Sequence, residues 1–191
     1  MQNVGEEICG EYLRNILNCD FVSYNIVNPD IQGEIDVFGI KLITEEVYIC
    51  EVATHTGGLQ YVKNKRPDDF NRFSEKFRKD ISYAKKYFSE YTVVPMLWSP
   101  IVKISNPKAK YNTCNELQRL KQTIKEKYSL DLRLVINESF FEALNKLKEY
   151  TAKQTAEFNS PVMRIFQIEK SLEKHLNNLK KKEILPNNKR T

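Results

Sequence analysis

Residues 33–55 read GEIDVFGIKLITEEVYICEVATH, and the alternation inside this stretch decides the fold. Gly33–Ile40 and Val47–Thr54 are apolar runs of strand length, and successive side chains of a strand point to opposite faces. Glu34, Asp36 and Phe38 therefore share one face, as do Val47, Ile49, Glu51 and Ala53 in the next strand. Paired as a hairpin, the two strands bring Asp36 alongside Glu51 near the end of a sheet. Neighbouring carboxylates repel unless something positive lies between them, and paired hard oxygens suit Mg²⁺ or Mn²⁺. Taken singly, Asp36 reads as the end of a strand and Glu51 as a residue on an exposed face.

Around this stretch the pattern alternates between elements. Residues 5–18 carry Ile8, Cys9, Tyr12, Leu13, Ile16 and Leu17 on one helical face, and Phe21–Val27 reads as a strand. A loop over Thr56–Asp69 leads to a helix over Asn71–Phe88, where Phe73, Phe77, Ile81, Ala84 and Phe88 recur at helical spacing. Thr92–Trp98 is a strand whose Pro95 argues for an edge or a bulge at that point. A helix at Glu116–Tyr128, a strand at Asp131–Ile136, a helix at Glu138–Ala152 and a last helix from Val162 complete the chain. The order predicts an α/β (α+β) fold with a central mixed sheet flanked by helices.

The chain has 191 residues, of which 41% are hydrophobic, enough for one well-formed core. Residues 1–150 are assigned to it, and residues 151–191 to a C-terminal helical extension with a basic tail. Four scattered cysteines without a CxxC pair, and two histidines, indicate neither a zinc site nor a disulfide framework. The first residues, MQNVGEE, show no basic-then-apolar leader, and no apolar run approaches the ~20 residues that span a bilayer. A cytoplasmic protein with no membrane partner is expected. Lys and Arg number 30 against 25 Asp and Glu, and after residue 163 there are 8 basic and 3 acidic residues. The whole excess thus lies in the C-terminal segment, as a solvated helix with a basic tail or as a nucleic-acid contact surface.

In the first helix, Glu6 is the acid at the edge of the apolar face, while Glu7 and Glu11 lie beyond it. Favourable charge at a helix N-terminus also accounts for Glu6. Gly5-Glu6 followed by Tyr12-Leu13, then Gly33-Glu34-Ile35-Asp36, then Cys50-Glu51-Val52 with Thr54, resembles the YraN-type branch of the PD-(D/E)xK nuclease superfamily. It is similar also to archaeal Holliday-junction resolvases and Mrr-type restriction domains. The likeness covers about the first 55 residues closely and extends in element order to about Ile136. It implies a restriction-endonuclease-like core and a metal-dependent endonuclease that hydrolyses phosphodiester bonds in nucleic acid, of DNA-directed type. Glu6, Asp36 and Glu51 would be catalytic and hold Mg²⁺ or Mn²⁺, with no nucleotide cofactor. The literal Pro29-Asp30 sits in a turn-like NPDIQG and ranks below Asp36.

One departure stands out: where the superfamily has Glu-x-Lys, this chain has Glu51-Val52-Ala53. The helix over Asn71–Phe88 offers a substitute in Lys76, nearest to the apolar edge of a flank that also carries Arg72, Lys79, Tyr83 and Lys86. Read without the resemblance, that flank is an ordinary solvated face. Nucleic-acid contacts are expected from His55, from Lys63, Lys65 and Arg66 in YVKNKRP, and from Arg72 and Lys79. Two other readings stay open. One is a catalytically impaired relative that binds nucleic acid or another subunit, for which Ala53 argues. The other is a protein-interaction module, in which Ile165, Ile168, Leu172, Leu176 and Leu179 form a coiled-coil seam between two copies, unless that stripe packs back on its own domain.

Overall fold

A computed structural model of the chain describes residues 3–27, 33–106, 108–109 and 111–181. In chain order the elements are α1 (Val4–Asn15), β1 (Phe21–Val27), β2 (Glu34–Lys41), β3 (Glu46–Val52), β4 (Val62–Lys63), β5 (Arg66–Pro67) and α2 (Asp69–Tyr87). Then follow β6 (Thr92–Ser99), α3 (Thr113–Tyr128), β7 (Arg133–Ile136), α4 (Glu138–Ala152) and α5 (Pro161–Lys181). Pro29-Asp30 and the basic tail beyond Lys181 lie outside the described residues.

The quoted alternation becomes an antiparallel pair, β2 with β3, in the register Val37 opposite Cys50 and Phe38 opposite Ile49. Around it stands a five-stranded mixed sheet of order β1-β2-β3-β6-β7, with β6 parallel to β3 and β7 parallel to β6. Period-two burial splits the strands between two cores. Phe38, Val47, Ile49, Val93 and Leu97 pack with Phe73, Phe77 and Ile81 of α2 and Leu117, Leu120 and Ile124 of α3. On the opposite face Val37, Tyr48, Cys50, Met96 and Trp98 pack with Cys9 and Leu13 of α1 and Phe140 and Ala143 of α4. The α+β class with helices on both faces of a mixed sheet is thus as the sequence leads one to expect, and is consistent with a restriction-endonuclease-like core. No helix among the described residues is long and apolar enough to cross a membrane, and the four cysteines are free.

Three local expectations need correction. First, β6 is an interior strand despite Pro95. Because β7 begins opposite Met96, residues 92–95 have only β3 beside them, so the proline sits where the strand is locally an edge. Second, the loop after β3 contains a small hairpin, β4–β5, with Lys63 opposite Arg66. Its turn residues Asn64 and Lys65 have φ of 51° and 59°, the geometry of a two-residue primed turn. Third, the apolar stripe of α5 does not fold back on the domain. Val162, Met163 and Gln167 are buried, whereas Ile165, Ile168, Leu172 and Leu176 are exposed. The start of α5 is tied to α1 by Glu7, whose Oε1 accepts from Ser160 Oγ at 2.5 Å and Val162 N at 3.3 Å. The boundary expected at residue 150 falls inside α4.

Candidate functional site

Asp36 and Glu51 meet where the β2–β3 ladder ends. Beyond the pair Val37–Cys50, the amide of Val52 donates to Asp36 Oδ2 at 2.7 Å, so the carboxylate closes the strand end and is held by it. Glu51 faces α2 and is fully buried, which removes the reading of it as a surface residue. Burying a carboxylate is costly unless a partner is supplied.

The partner comes from α2. Lys76 Nζ lies 3.3 Å from Asp36 Oδ1 and 3.4 Å from Asp36 Oδ2, and it donates to Glu51 Oε2. Ala53, in the position where the resemblance leads one to look for lysine, is buried in the core beneath α2 and α3. The ammonium reaches the same two carboxylates from the helix instead. Burial works to lower the pKa of Lys76, but Glu51 and Asp36 outweigh it and raise the pKa above the ordinary lysine value. Lys76 is therefore a fixed positive charge at neutral pH.

A third carboxyl was missed by sequence reasoning. Asp80, one turn after Lys76, is buried against Glu51. Its Oδ2 and Glu51 Oε1 are both buried without a hydrogen-bond donor among the described residues. Facing carboxylates are satisfied when one carries a proton. Burial, with Asp36 adding to it, pushes Asp80 up to about 7, and burial followed by the charge of Asp36 raises Glu51 well above the usual carboxylate range. Both carboxyls thus hold a proton more readily than a carboxylate in water. The signal available in the sequence was an acid placed between Phe77, Ile81 and Ala84, on the inward face of α2.

The remaining expected residues are distributed as follows. Glu6 is not joined to the cluster by a hydrogen bond or ion pair among the described residues. It closes a capping box with Asn3, with Glu6 N donating to Asn3 Oδ1 at 3.0 Å and Asn3 N to Glu6 Oε2 at 3.1 Å, and it accepts from Asn25 Nδ2 at 3.3 Å. Its helix lies on the other face of the sheet from α2, although Gly5 comes up against Thr54, just past β3. His55 Nε2 is 2.9 Å from the hydroxyl of Tyr61, and the Arg72 guanidinium lies 4.1 Å from the centre of the Tyr61 ring. Lys63, Lys65 and Arg66 are exposed on the β4–β5 hairpin. Lys79 pairs with Glu75 at 3.7 Å on the outer side of α2.

No group of three or more His, Cys, Asp and Glu among the described residues is disposed to hold a metal ion. Asp36 and Glu51 are the residues that could hold a hard cation, their oxygens converging on one positive group. Two carboxylates are the usual protein share of a Mg²⁺ site, the rest being water and substrate oxygens. Comparison of the chain with family models, with curated proteins and with solved structures finds no match.

Proposed function

We propose that the chain is a metal-dependent nuclease of the PD-(D/E)xK type, hydrolysing phosphodiester bonds in nucleic acid, with DNA as substrate and the cytoplasm as its place of work. One observation carries the reading: Lys76 reaches from α2 to both Asp36 and Glu51, restoring to the site the lysine that Ala53 lacks. Asp36 and Glu51 would hold Mg²⁺ or Mn²⁺, and their all-oxygen chemistry fits those ions. Bound there, the ion supplies Lewis acidity toward the scissile phosphate and lowers the pKa of a coordinated water.

The roles of the chain's own residues follow from their charge states. With its proton in place, as in the metal-free site, Lys76 acts as a donor and a positive charge toward a phosphate oxygen or the attacking water. Asp80, buried beside Glu51, adds to the need for a cation at the site. Arg72 and Lys63 contact the phosphate backbone, with an affinity that falls as salt rises.

The test is cleavage of linear, supercoiled, branched and single-stranded DNA and of RNA with Mg²⁺ or Mn²⁺. Cleavage by the wild type that vanishes in Asp36→Ala and Glu51→Ala supports the reading. Absence of cleavage on every substrate gives way to the catalytically impaired alternative, a nucleic-acid-binding relative. A second reading has an observation of its own, the exposed stripe of Ile165, Ile168, Leu172 and Leu176, under which α5 pairs two copies of the chain. Sedimentation at rising concentration tests it, and a constant monomer mass rejects it.

A further inference from the structure

The β4–β5 hairpin is an exposed, cationic ribbon beside the site. Its turn exposes four consecutive polar residues, Lys63, Asn64, Lys65 and Arg66. An isolated two-stranded hairpin is marginal in water, so something must hold this one. Its base is pinned by Tyr61 N donating to Asp69 Oδ1 at 2.8 Å and by Asp68 N donating to Tyr61 O at 2.9 Å. The turn is pinned by Tyr111, whose hydroxyl donates to Lys65 O at 2.8 Å. These bonds use backbone groups and leave the side chains of Lys63, Lys65 and Arg66 without a partner among the described residues.

From the hairpin a cleft of about 330 Å³, lined by Lys63, Asp68, Asn71, Arg72, Glu75 and Lys76, runs to the lysine of the site. The two acids in that lining are already engaged. Asp68 Oδ1 accepts from Asn71 Nδ2 at 3.1 Å, and Glu75 is bridged by Arg78 at 2.8 and 2.9 Å. Lys63, Arg72 and Lys76 line this cleft together.

We propose that the β4–β5 hairpin enters the major groove of B-form duplex DNA, so that the adjacent phosphodiester backbone lies along the cleft leading to Lys76. The inference deepens the nuclease reading and rests on it. A two-stranded ribbon fits a groove about 12 Å wide, and Asn, Lys and Arg are the side chains that reach base edges there. The major groove of duplex RNA is deep and narrow and excludes such a ribbon, so the proposal selects duplex DNA over duplex RNA.

The experiment is fluorescence anisotropy of the full chain in EDTA with a duplex DNA and a duplex RNA of the same sequence, each two helical turns long. The variants are Lys65→Ala/Arg66→Ala and, as a control on the opposite side of the sheet, Lys146→Ala, with thermal melts to verify folding. The wild type is expected to prefer the DNA at least tenfold, and the double variant to lose about tenfold on DNA with little change on RNA. Methyl green, a major-groove ligand, should displace the protein, and the minor-groove ligand netropsin should not. Equal binding of DNA and RNA, an unaffected double variant, an equal loss in Lys146→Ala, displacement by netropsin alone, or no binding to either duplex overturns the proposal. Since binding is read without metal, the two failures separate. Groove binding without Mg²⁺-dependent cleavage sinks the nuclease reading alone, whereas cleavage by a protein indifferent to its hairpin sinks this inference alone.

Discussion

Burial acts against the ammonium of Lys76 while the carboxylates of Glu51 and Asp36 act for it, and the outcome is a lysine more firmly protonated than one in water. Removing it leaves Glu51 buried without its cation. Lys76→Ala is therefore expected to cost about 3 kcal/mol in urea unfolding, and a loss below ~0.5 kcal/mol would deny the pair its structural role. Asp80 gives a pH signature whose sign is fixed. Its pKa in the fold, about 7, lies above the ordinary aspartate value of 3.8, so the stability it contributes is fully present below 3.8. That contribution is lost as pH rises toward 7 and is gone above it. Asp80→Asn should flatten the decline in melting temperature between pH 5 and 8, and an unchanged slope would place the titration elsewhere. At this scale the strand period sufficed to put Asp36 beside Glu51, and the edge of an apolar helical face sufficed to single out Lys76. Asp80 was passed over, because its place on the inward face of α2 points to burial without naming the carboxylate it meets. Glu6 was read as a site acid, but helix capping claims it first.

Among the elements, α1 is set by close approach. A Cβ on Gly10 would lie 2.1 Å from the hydroxyl oxygen of Tyr24, so Gly10→Ala must displace either the Tyr24 ring or the helix. A destabilisation of about 1–3 kcal/mol is expected, measured by thermal melt, and a neutral result would show that the Tyr24 ring gives way without cost. Glu7 ties α5 to α1 by accepting from Ser160 Oγ and Val162 N. Glu7→Ala should cost about 1 kcal/mol, as loss of a helix cap does. It should also speed amide exchange in the first turn of α5 more than in α2, and uniform exchange would contradict the capping role. Most elements were visible as periodicity. The β4–β5 hairpin was not, since its turn is Asn64-Lys65 without the glycine that usually marks a primed turn, and its strands are two residues each. Pro95 misled for a topological reason, because its strand is interior overall and an edge only at that residue.

For the molecule as a whole, the alternation of helices and strands foretold a mixed sheet flanked by helices, and the structure covers each face of that sheet with its own helical layer. The strand order, with β6 between β3 and β7, was beyond periodicity, since parallel pairing is set by crossovers rather than by local pattern. That topology lays α2 over the end of β3 and so delivers Lys76 to Glu51. The central claim is that this lysine completes a phosphodiesterase centre formed by Asp36 and Glu51. Its most direct test is the single-turnover rate of duplex DNA cleavage at saturating Mg²⁺ for wild type and Lys76→Ala, with Mn²⁺ binding measured on both. A fall of about 100-fold or more with Mn²⁺ still bound is the predicted result. Full-rate cleavage by Lys76→Ala would contradict it.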